Sequence, residues 1–500
     1  MVRVTLFVRL VLALVALLGA SVLLSYVHVP SWPATSSSDA DDADAESLIT
    51  SMQPIRRQQH GALLRSTLDS DSDSSDQENS STSSSTKTPP PPRLSSEDAD
   101  LLGAVRVAAL QLRVYVYEPP LSISSKGETD ACLHDPHRKH FWPEQTLPAY
   151  FANSTLRTRD PDSADIFLLP HNLVGLAVCH KDLDAVKRYF VPLLKWVHEQ
   201  PSYARNNGRD HAIVYTYDNG AFCDQGLITQ PVQALLSSFI MIGNYGVQGM
   251  PNCFNVDKDI VIPQWHDFTP VPSVDFDVLE TRPIETYFKG QIVPGRKCSV
   301  HAREYLQNVS TVVNDTQRYS FQTGSMEQAY FGLAPAVRDE IHPILIFYLP
   351  QGHACWSLRF YDAIFAGSIP IIVADNVVEP FERFLRWREF AVKIQTAEIP
   401  PPRNTDQPWF FDTISQHVRA FHLLVSDADP ATPADLQRDY IVRKRKAGHQ
   451  VQPWFTWDKS TLHSAFGLLI LELWCRTDKG ARSSEYCKLD SSTMSNQSFW

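Results

Sequence analysis

No cysteine precedes Cys132, and none of the chain's eight stands three positions from another. That absence of a C-x-x-C pair removes the usual sequence sign of a structural zinc site or a thioredoxin-like redox couple. An even number of widely spaced cysteines instead predicts disulfides and an oxidising compartment, with Cys475–Cys487 the first pairing to expect. Positive charge is scarce as well. Residues 1–30 carry +2 and residues 31–100 carry −8, which leaves only −5 of the chain's −11 for residues 101–500. A region so nearly neutral gives no reason to expect nucleic acid as a partner. One short basic run, Arg443-Lys444-Arg445-Lys446, reads as a solvated face that could touch an anionic polysaccharide.

The N-terminus and the segment after it each lack something different. Leu10–Val27 is an uncharged, mainly apolar run of 18 residues, preceded by Arg3 and Arg9 and followed by no lysine or arginine until Arg56. Its length suits a bilayer core, and the charge bias puts the N-terminus in the cytosol and the rest in the lumen. Gly19-Ala20-Ser21 offers a competing reading as a cleaved signal peptide, but the apolar run continues past it and favours an uncleaved signal anchor. Apolar residues then become sparse. Ser70–Ser85 is rich in Ser, Asp and Thr, and Pro89–Pro92 is a proline block, so this stretch cannot bury enough surface to fold and reads as a stem. Sequons at Asn153, Asn308 and Asn314, with Asn79 and Asn496, fit lumenal exposure.

Beyond the stem, apolar runs alternate with helix-like segments. Strands are expected at VYVYE, DIFLLP, AIVYTY and DIVIPQW, with helices at Ala185–His198 and Pro231–Ile242. After a loop at Phe268–Arg282 a second set begins with Thr286–Gly290 and continues through ILIFYL, PIIVAD and FAVKI. Continuously apolar strands separated by helices imply parallel sheets. The expected organisation is a cytosolic tail at 1–9, an anchor at 10–29, a disordered stem at 30–105, an α/β domain at 106–275, a second at 276–480 and a tail at 481–500. The last helix-like stretch, Thr461–Trp474, could cross back onto the first domain.

The most telling segment is Tyr348–Asp375, YLPQGHACWSLRFYDAIFAGSIPIIVAD. Gly352 sits in a turn, Ser357 is a helix cap, Leu358–Phe365 has helical spacing, and Ile369–Val373 reads as a buried strand. Arg359 and Asp362, three apart, share a helix face: a cation for a pyrophosphate beside a carboxylate for a ribose hydroxyl. Ser357, Arg359, Asp362, Gly367, Pro370 and Asp375, followed by Pro380-Phe381-Glu382 and Trp387, resemble the exostosin family of inverting glycosyltransferases (glycosyltransferase family 47). RVYVYEPP, DPDSADIFLLP, GRDHAIVYTYD, KDIVIPQW and RPIETYFKGQ resemble its earlier blocks, in order, so that the likeness runs from about residue 112 to 475. The chain departs from the pattern in three places: Glu379 replaces a leucine, His353-Ala354-Cys355 occupies the turn loop, and His171-Asn172 replaces an aromatic pair. The resemblance implies a GT-B-like fold, two Rossmann-type domains facing a cleft. It also implies a UDP-linked sugar donor and a wall or matrix polysaccharide acceptor.

Such transfer needs a nucleotide grip, a stabilised leaving diphosphate and a base. Ser357, Arg359, Asp362, Gly352 and Glu382, with Arg282, Arg296 and Arg303, are the expected donor-binding residues. The base is expected across the cleft, from Asp218 or His171 at strand ends, with His266 as a further candidate; Asp210 and His211 match the motif but enter a strand from the opposite edge, which favours a structural role (a cap or a buried hydrogen bond) for them. Asp275-Phe276-Asp277 and Asp427-Ala428-Asp429 both spell Asp-x-Asp, but arginine and helix dipole suffice for the leaving group, so neither metal nor other cofactor is expected. The expected setting is the Golgi membrane, single-pass and type II, in possible association with another glycosyltransferase. The alternative is a catalytically weak scaffolding subunit of a polysaccharide-synthesising complex.

Overall fold

The computed structural model describes residues 96–124, 141–179, 184–217, 220, 228–247, 254–265, 284–290, 303, 319–323, 344–350, 359–374, 376–394, 434–483 and 485–488. The expected anchor and most of the expected stem lie outside these residues. Among the described residues no helix is long and apolar enough to cross a membrane.

Six parallel strands form the first sheet: β1 (Val114–Val116), β2 (Arg157–Thr158), β3 (Ile166–Leu169), β4 (His211–Val214), β5 (Ile240–Gly243) and β6 (Ile260–Val261), in the order β2-β1-β3-β4-β5-β6. Its register sets Tyr115 beside Phe167, Leu168 beside Ala212 and Ile213 beside Met241. Successive side chains point to opposite faces, so Ile166, Leu168, Ala212, Val214, Ile240 and Ile242 fill one core. Phe167, Leu169, Ile213, Tyr215 and Met241 fill another on the opposite face. Burial on both faces is why these strands read as unbroken apolar runs.

The second sheet is also parallel: β7 (Ile284–Gly290), β8 (Tyr319–Thr323), β9 (Ile344–Pro350), β10 (Ile369–Val373) and β11 (Val392–Ile394), in the order β11-β10-β9-β7-β8. All five residues of β10 are buried.

The helices are α1 (Ser96–Gln111), α2 (Pro143–Ala152), α3 (Val191–His198), α4 (Pro201–Asn206), α5 (Gln230–Leu236), α6 (Arg359–Phe365), α7 (Trp387–Phe390), α8 (Ala434–Val451), α9 (Ala465–Cys475) and α10 (Asp478–Ser483). Three expectations are corrected. The first concerns α1, which starts inside the segment expected to be stem; Leu101, Val105 and Ala108 are buried in the first core, so the fold begins earlier than composition suggested. Pro231–Ile242 is not one helix. It is α5, a short turn, and then β5, whose apolar IMIG is buried between β4 and β6. The basic run is a solvated face only in part: Arg443 and Lys446 are exposed, but Lys444 Nζ donates to Ala391 O at 3.1 Å and also to Arg388 O, while Arg445 Nε donates to Gly367 O at 2.9 Å. Carbonyls left over where α6 and α7 end are what these two buried cations satisfy.

Apolar all round, α9 is buried along its whole length. It lies against α1 and α2: Phe466 meets Tyr150 and Phe151 at ring-centroid distances of 5.3 and 5.2 Å. Arg476 then donates to the carbonyls of Lys258 and Asp259 at 3.2 and 2.8 Å, and a Cys475–Cys487 disulfide closes the turn that follows. The stretch near the C-terminus therefore returns to the first sheet.

Candidate active site

Ligands of open parallel sheets sit beyond the carboxyl ends of the strands, and here those ends meet. The segment leaving β10 crosses to the first sheet. Val377 bridges Val247, Val378 N–H donates to Gly246 O at 2.8 Å, and Phe381 N–H donates to Val261 O at 3.2 Å. Residues just past β5 and β6 are thereby fixed against residues just past β10.

On the second-sheet side, α6 carries both Arg359 and Asp362 and is ended by Gly367 at φ 69°, a left-handed position that glycine takes without a Cβ penalty. Asp362 Oδ1 is buried without a hydrogen-bond partner. Burial pushes this carboxyl up to about 7, against the pull of the Arg359 guanidinium. Gly352 and Ser357, which should frame the start of this helix, lie outside the described residues, as do Arg282 and Arg296. Arg303 is described and helical. Glu382 is engaged locally: its Oε2 accepts the Glu379 N–H at 2.9 Å, which fixes the turn where Phe381 takes φ 54°.

Glu379, one of the departures from the family pattern, is 1% exposed, with Oε1 3.4 Å from Lys393 Nζ. Burial pushes it up to about 7, with Lys393 opposing the shift. It stands near Tyr361, whose hydroxyl burial drives well above the ordinary range and which also accepts from the Gln264 backbone.

On the first-sheet side three of the candidate bases are held in hydrogen bonds. His171 does follow β3, but Nε2 donates to Val214 O at 2.5 Å and Nδ1 accepts from Leu173 N–H at 3.1 Å. Both ring nitrogens are committed, and burial lowers the imidazole to about 4, so no lone pair is left for an acceptor proton. Asp210 and His211 sit at the opposite, entering end of β4. His211 Nδ1 donates to Asp210 Oδ1 at 2.8 Å, its Nε2 meets Tyr117 Oη at 2.7 Å, and Arg205 and Asn206 donate to Asp210 Oδ2 at 2.9 and 2.6 Å. Burial alone would raise Asp210, yet these hydrogen bonds hold it below the ordinary range. The pair welds α4 to the sheet, at the end opposite the strands' carboxyl ends. Asp210→Ala strands three donors, and we expect a loss of about 2–3 kcal/mol in denaturant unfolding. Donor KM should stay unchanged; a KM shift would bring Asp210 back among the candidate bases. Asp218 and His266 lie outside the described residues.

One acid the sequence reading passed over stands beside His171. Glu144, in the first turn of α2, is fully buried, with its carboxyl accepting from Val174 N–H at 3.0 Å and Thr216 N–H at 3.2 Å and lying 3.8 Å from His171 Nδ1. Burial lifts it to about 8, against those donors. A carboxyl raised on folding holds its proton in the folded chain where the unfolded chain has lost it. Stability from Glu144 is therefore full below its unfolded value near 4.5 and is lost as pH rises toward 8. The slope is about 1.4 kcal/mol per pH unit for each proton so held, and Glu144→Gln should flatten it. Denaturant unfolding at pH 5, 6.5 and 8 reads this out, and equal wild-type and variant slopes would contradict it.

Among the described residues no three His, Cys, Asp or Glu side chains are placed to share a metal ion. Both Asp-x-Asp stretches lie outside those residues.

Residues 109–407 match the family described as "Exostosin GT47 domain". An Arabidopsis thaliana protein named as a probable glucuronoxylan glucuronosyltransferase is 22% identical over 304 residues, 58% of this chain and 62% of that protein. "Probable beta-1,4-xylosyltransferase IRX10" of the same plant is 25% identical over 327 residues, 62% of this chain and 74% of that protein. The chain thus spans less than two thirds of the first relative and about three quarters of the second. Among solved structures, WaaG, "a glycosyltransferase involved in lipopolysaccharide biosynthesis", aligns with a TM-score of 0.30 and 8% identity over 67% of this chain and 95% of that one.

Proposed function

Because the chain belongs to the exostosin GT47 family, we propose that it is an inverting glycosyltransferase of GT-B architecture, moving a sugar from a UDP-linked donor to a hydroxyl of a polysaccharide. The family match across residues 109–407 carries this reading. Relatives named for glucuronosyl and xylosyl transfer favour a uronic acid or pentose as the sugar and a xylan-like glycan as the acceptor. The two parallel sheets serve as the two halves, the first on the acceptor side and the second on the donor side. Arg359 grips the diphosphate and steadies it as it leaves, and Asp362 accepts from the ribose hydroxyls. With His171, Asp210 and His211 committed to structural bonds, Asp218 and His266 remain as the bases. No metal is required. An N-terminal anchor holds the enzyme in the Golgi membrane with its catalytic region lumenal.

A second reading, a scaffolding subunit that supports an active glycosyltransferase partner, draws on those same locked side chains: every described candidate base is already bonded. One assay separates the two. The full chain is incubated with a panel of nucleotide sugars, with and without EDTA, and release of the nucleoside diphosphate is followed. Release from one donor that survives EDTA identifies a metal-independent transferase and its sugar. A folded protein that binds no donor leaves the scaffold.

A further inference from the structure

A line of aromatic rings that no step above uses runs along the margin of the first sheet. Trp265 follows β6 and lies flat against Trp457, with ring centroids 5.6 Å apart and planes 8° from parallel. Trp142 stands 6.3 Å from Trp265, and Tyr150 stands 5.7 Å from it, both tilted. Trp457 is buried, and its indole N–H is spent on Pro263 O at 3.2 Å. Trp142, Tyr150 and Trp265 are only half-buried.

Three observations bear on what these rings meet. The first is position. Trp142 immediately precedes α2, whose Glu144 reaches Val174 and Thr216 just past β3 and β4, and Trp265 comes shortly after the end of β6. Both rings therefore stand at the carboxyl ends of the first sheet, where parallel sheets meet their ligands. The second is adjacency to the donor helix. Gln264, the residue before Trp265, donates its backbone N–H to the hydroxyl of Tyr361, which lies on α6 between Arg359 and Asp362. The third is a polar rim: Asp458, Lys459 and Ser460 are exposed directly after Trp457. Asp458 Oδ1 accepts from Ser460 N–H and Oγ at 2.8 and 2.7 Å, which fixes a carboxylate with acceptor sites still to offer. Lys459 Nζ lies 5.7 Å from the centre of the Tyr150 ring and balances the charge of Asp458.

We propose that Trp142 and Trp265 form a platform on which the acceptor glycan lies, a neutral chain of β-linked pyranoses whose reacting end meets α6. A pyranose with every hydroxyl equatorial turns C–H bonds to both of its faces, and those slightly positive hydrogens suit the negative face of an indole. Xylose and glucose in β-linkage have that shape, whereas the axial hydroxyl of mannose or galactose interrupts one face. Asp458 and Lys459 take hydroxyls along the edge of the chain, one accepting and one donating. The inference rests on the transferase reading for its kinetic test but not for its binding test.

Direct binding comes first. The full chain is titrated with β-1,4-linked xylo-, gluco-, manno- and galacto-oligosaccharides, followed by ligand-observed NMR, beside Trp142→Ala, Trp142→Phe and Asp458→Ala. Every variant keeps the Trp142 carbonyl that accepts from Thr146 at the start of α2, and Asp458 touches no core. Xylo- or gluco-chains are expected to bind, and manno- and galacto-chains more weakly. Affinity should fall about tenfold in Trp142→Ala, the weight of one good aromatic contact, and largely return in Trp142→Phe, which keeps a ring. Asp458→Ala should weaken the same glycan about fivefold. In transfer assays the acceptor KM should rise by the same factors, with donor KM unmoved. No binding of any glycan by the wild type, or unchanged affinity in the folded variants, overturns the platform. A dimer that Trp142→Ala dissolves, with no glycan bound, overturns it too and assigns the rings to a second copy of the chain. If glycans bind through Trp142 but no donor is ever turned over, the transferase reading fails and the platform stands.

Discussion

Arg359→Ala loses donor turnover by about 10²–10³-fold, the scale of removing one group that stabilises charge as it develops. Diphosphate departure concentrates negative charge on its oxygens, and a guanidinium can meet two of them at once. Arg359→Lys keeps the charge but not the fork, so it should fall between alanine and wild type. The side chain stands half-buried at the start of α6, outside the core that Phe360 and Ala363 enter, so unfolding of the variant should stay close to wild type. Asp362→Asn tests the neighbour. Its effect belongs in donor KM, and it should remove the part of the donor-affinity profile that follows a carboxyl near pH 7. Diphosphate release by Arg359→Ala within threefold of wild type would remove the arginine from the reaction.

Gly467→Ala has the largest expected effect on stability. A Cβ at this position would lie 1.9 Å from Leu462 O and 3.1 Å from Val105 Cγ1. The first obstacle is backbone and cannot rotate away. Relief requires shifting the first turn of α9, which breaks the bond from Gly467 N–H to the Ser464 cap at 3.3 Å and lifts the helix from α1. Overpacking typically destabilises by about 1–3 kcal/mol, and more where backbone must move, so loss at or above the top of that range is expected. Folded yield and unfolding midpoint report it. Gly103→Ala is the matched control: inside α1, with nothing within 4 Å of its Cβ position, it should stabilise by about 0.5–1 kcal/mol. Equal behaviour of the two variants would contradict the packing argument.

The strands that were legible in the sequence are those with a continuous apolar run and a turn on either side, such as IFLL, HAIV and IPIIV. β5 was hidden because its IMIG follows α5 almost directly, and an apolar run so placed satisfies helical spacing as well. β8, YSFQT, does alternate, and alternation was the signal to follow there. β2 is two polar residues held by pairing with β1, with no hydrophobic sign to find. Arg359 and Asp362 were legible as neighbours on α6, because helical spacing alone puts them together. Glu144 was not. An acid in the first turn of a helix is explained locally by the helix dipole, and only the packed structure turns it toward Val174 and Thr216. His171 was correctly placed at a strand end, but its two hydrogen bonds depend on Val214 and Leu173 and have no sequence signature. Lys444 and Arg445 misled in the same way, since a basic run looks alike whether it faces water or the last carbonyls of α6 and α7.

The packing of α1 against the late residues around α9 also governs when this protein can fold. Asp98 on α1 and Trp454, in the turn that precedes α9, are hydrogen-bonded at 3.3 Å and 356 residues apart in sequence. At about 5–20 residues per second of synthesis, roughly 20–70 s pass between the appearance of one and of the other. Throughout that interval the apolar stripe of α1 that holds Val105 has no α9 to cover it, so the nascent chain presents a sticky helix to its surroundings until its late residues emerge. Contacts this distant slow the search for the native state. A stop codon between β6 and α9 therefore removes more than a terminal helix: it leaves the first sheet, although fully translated, with one of its two cores open.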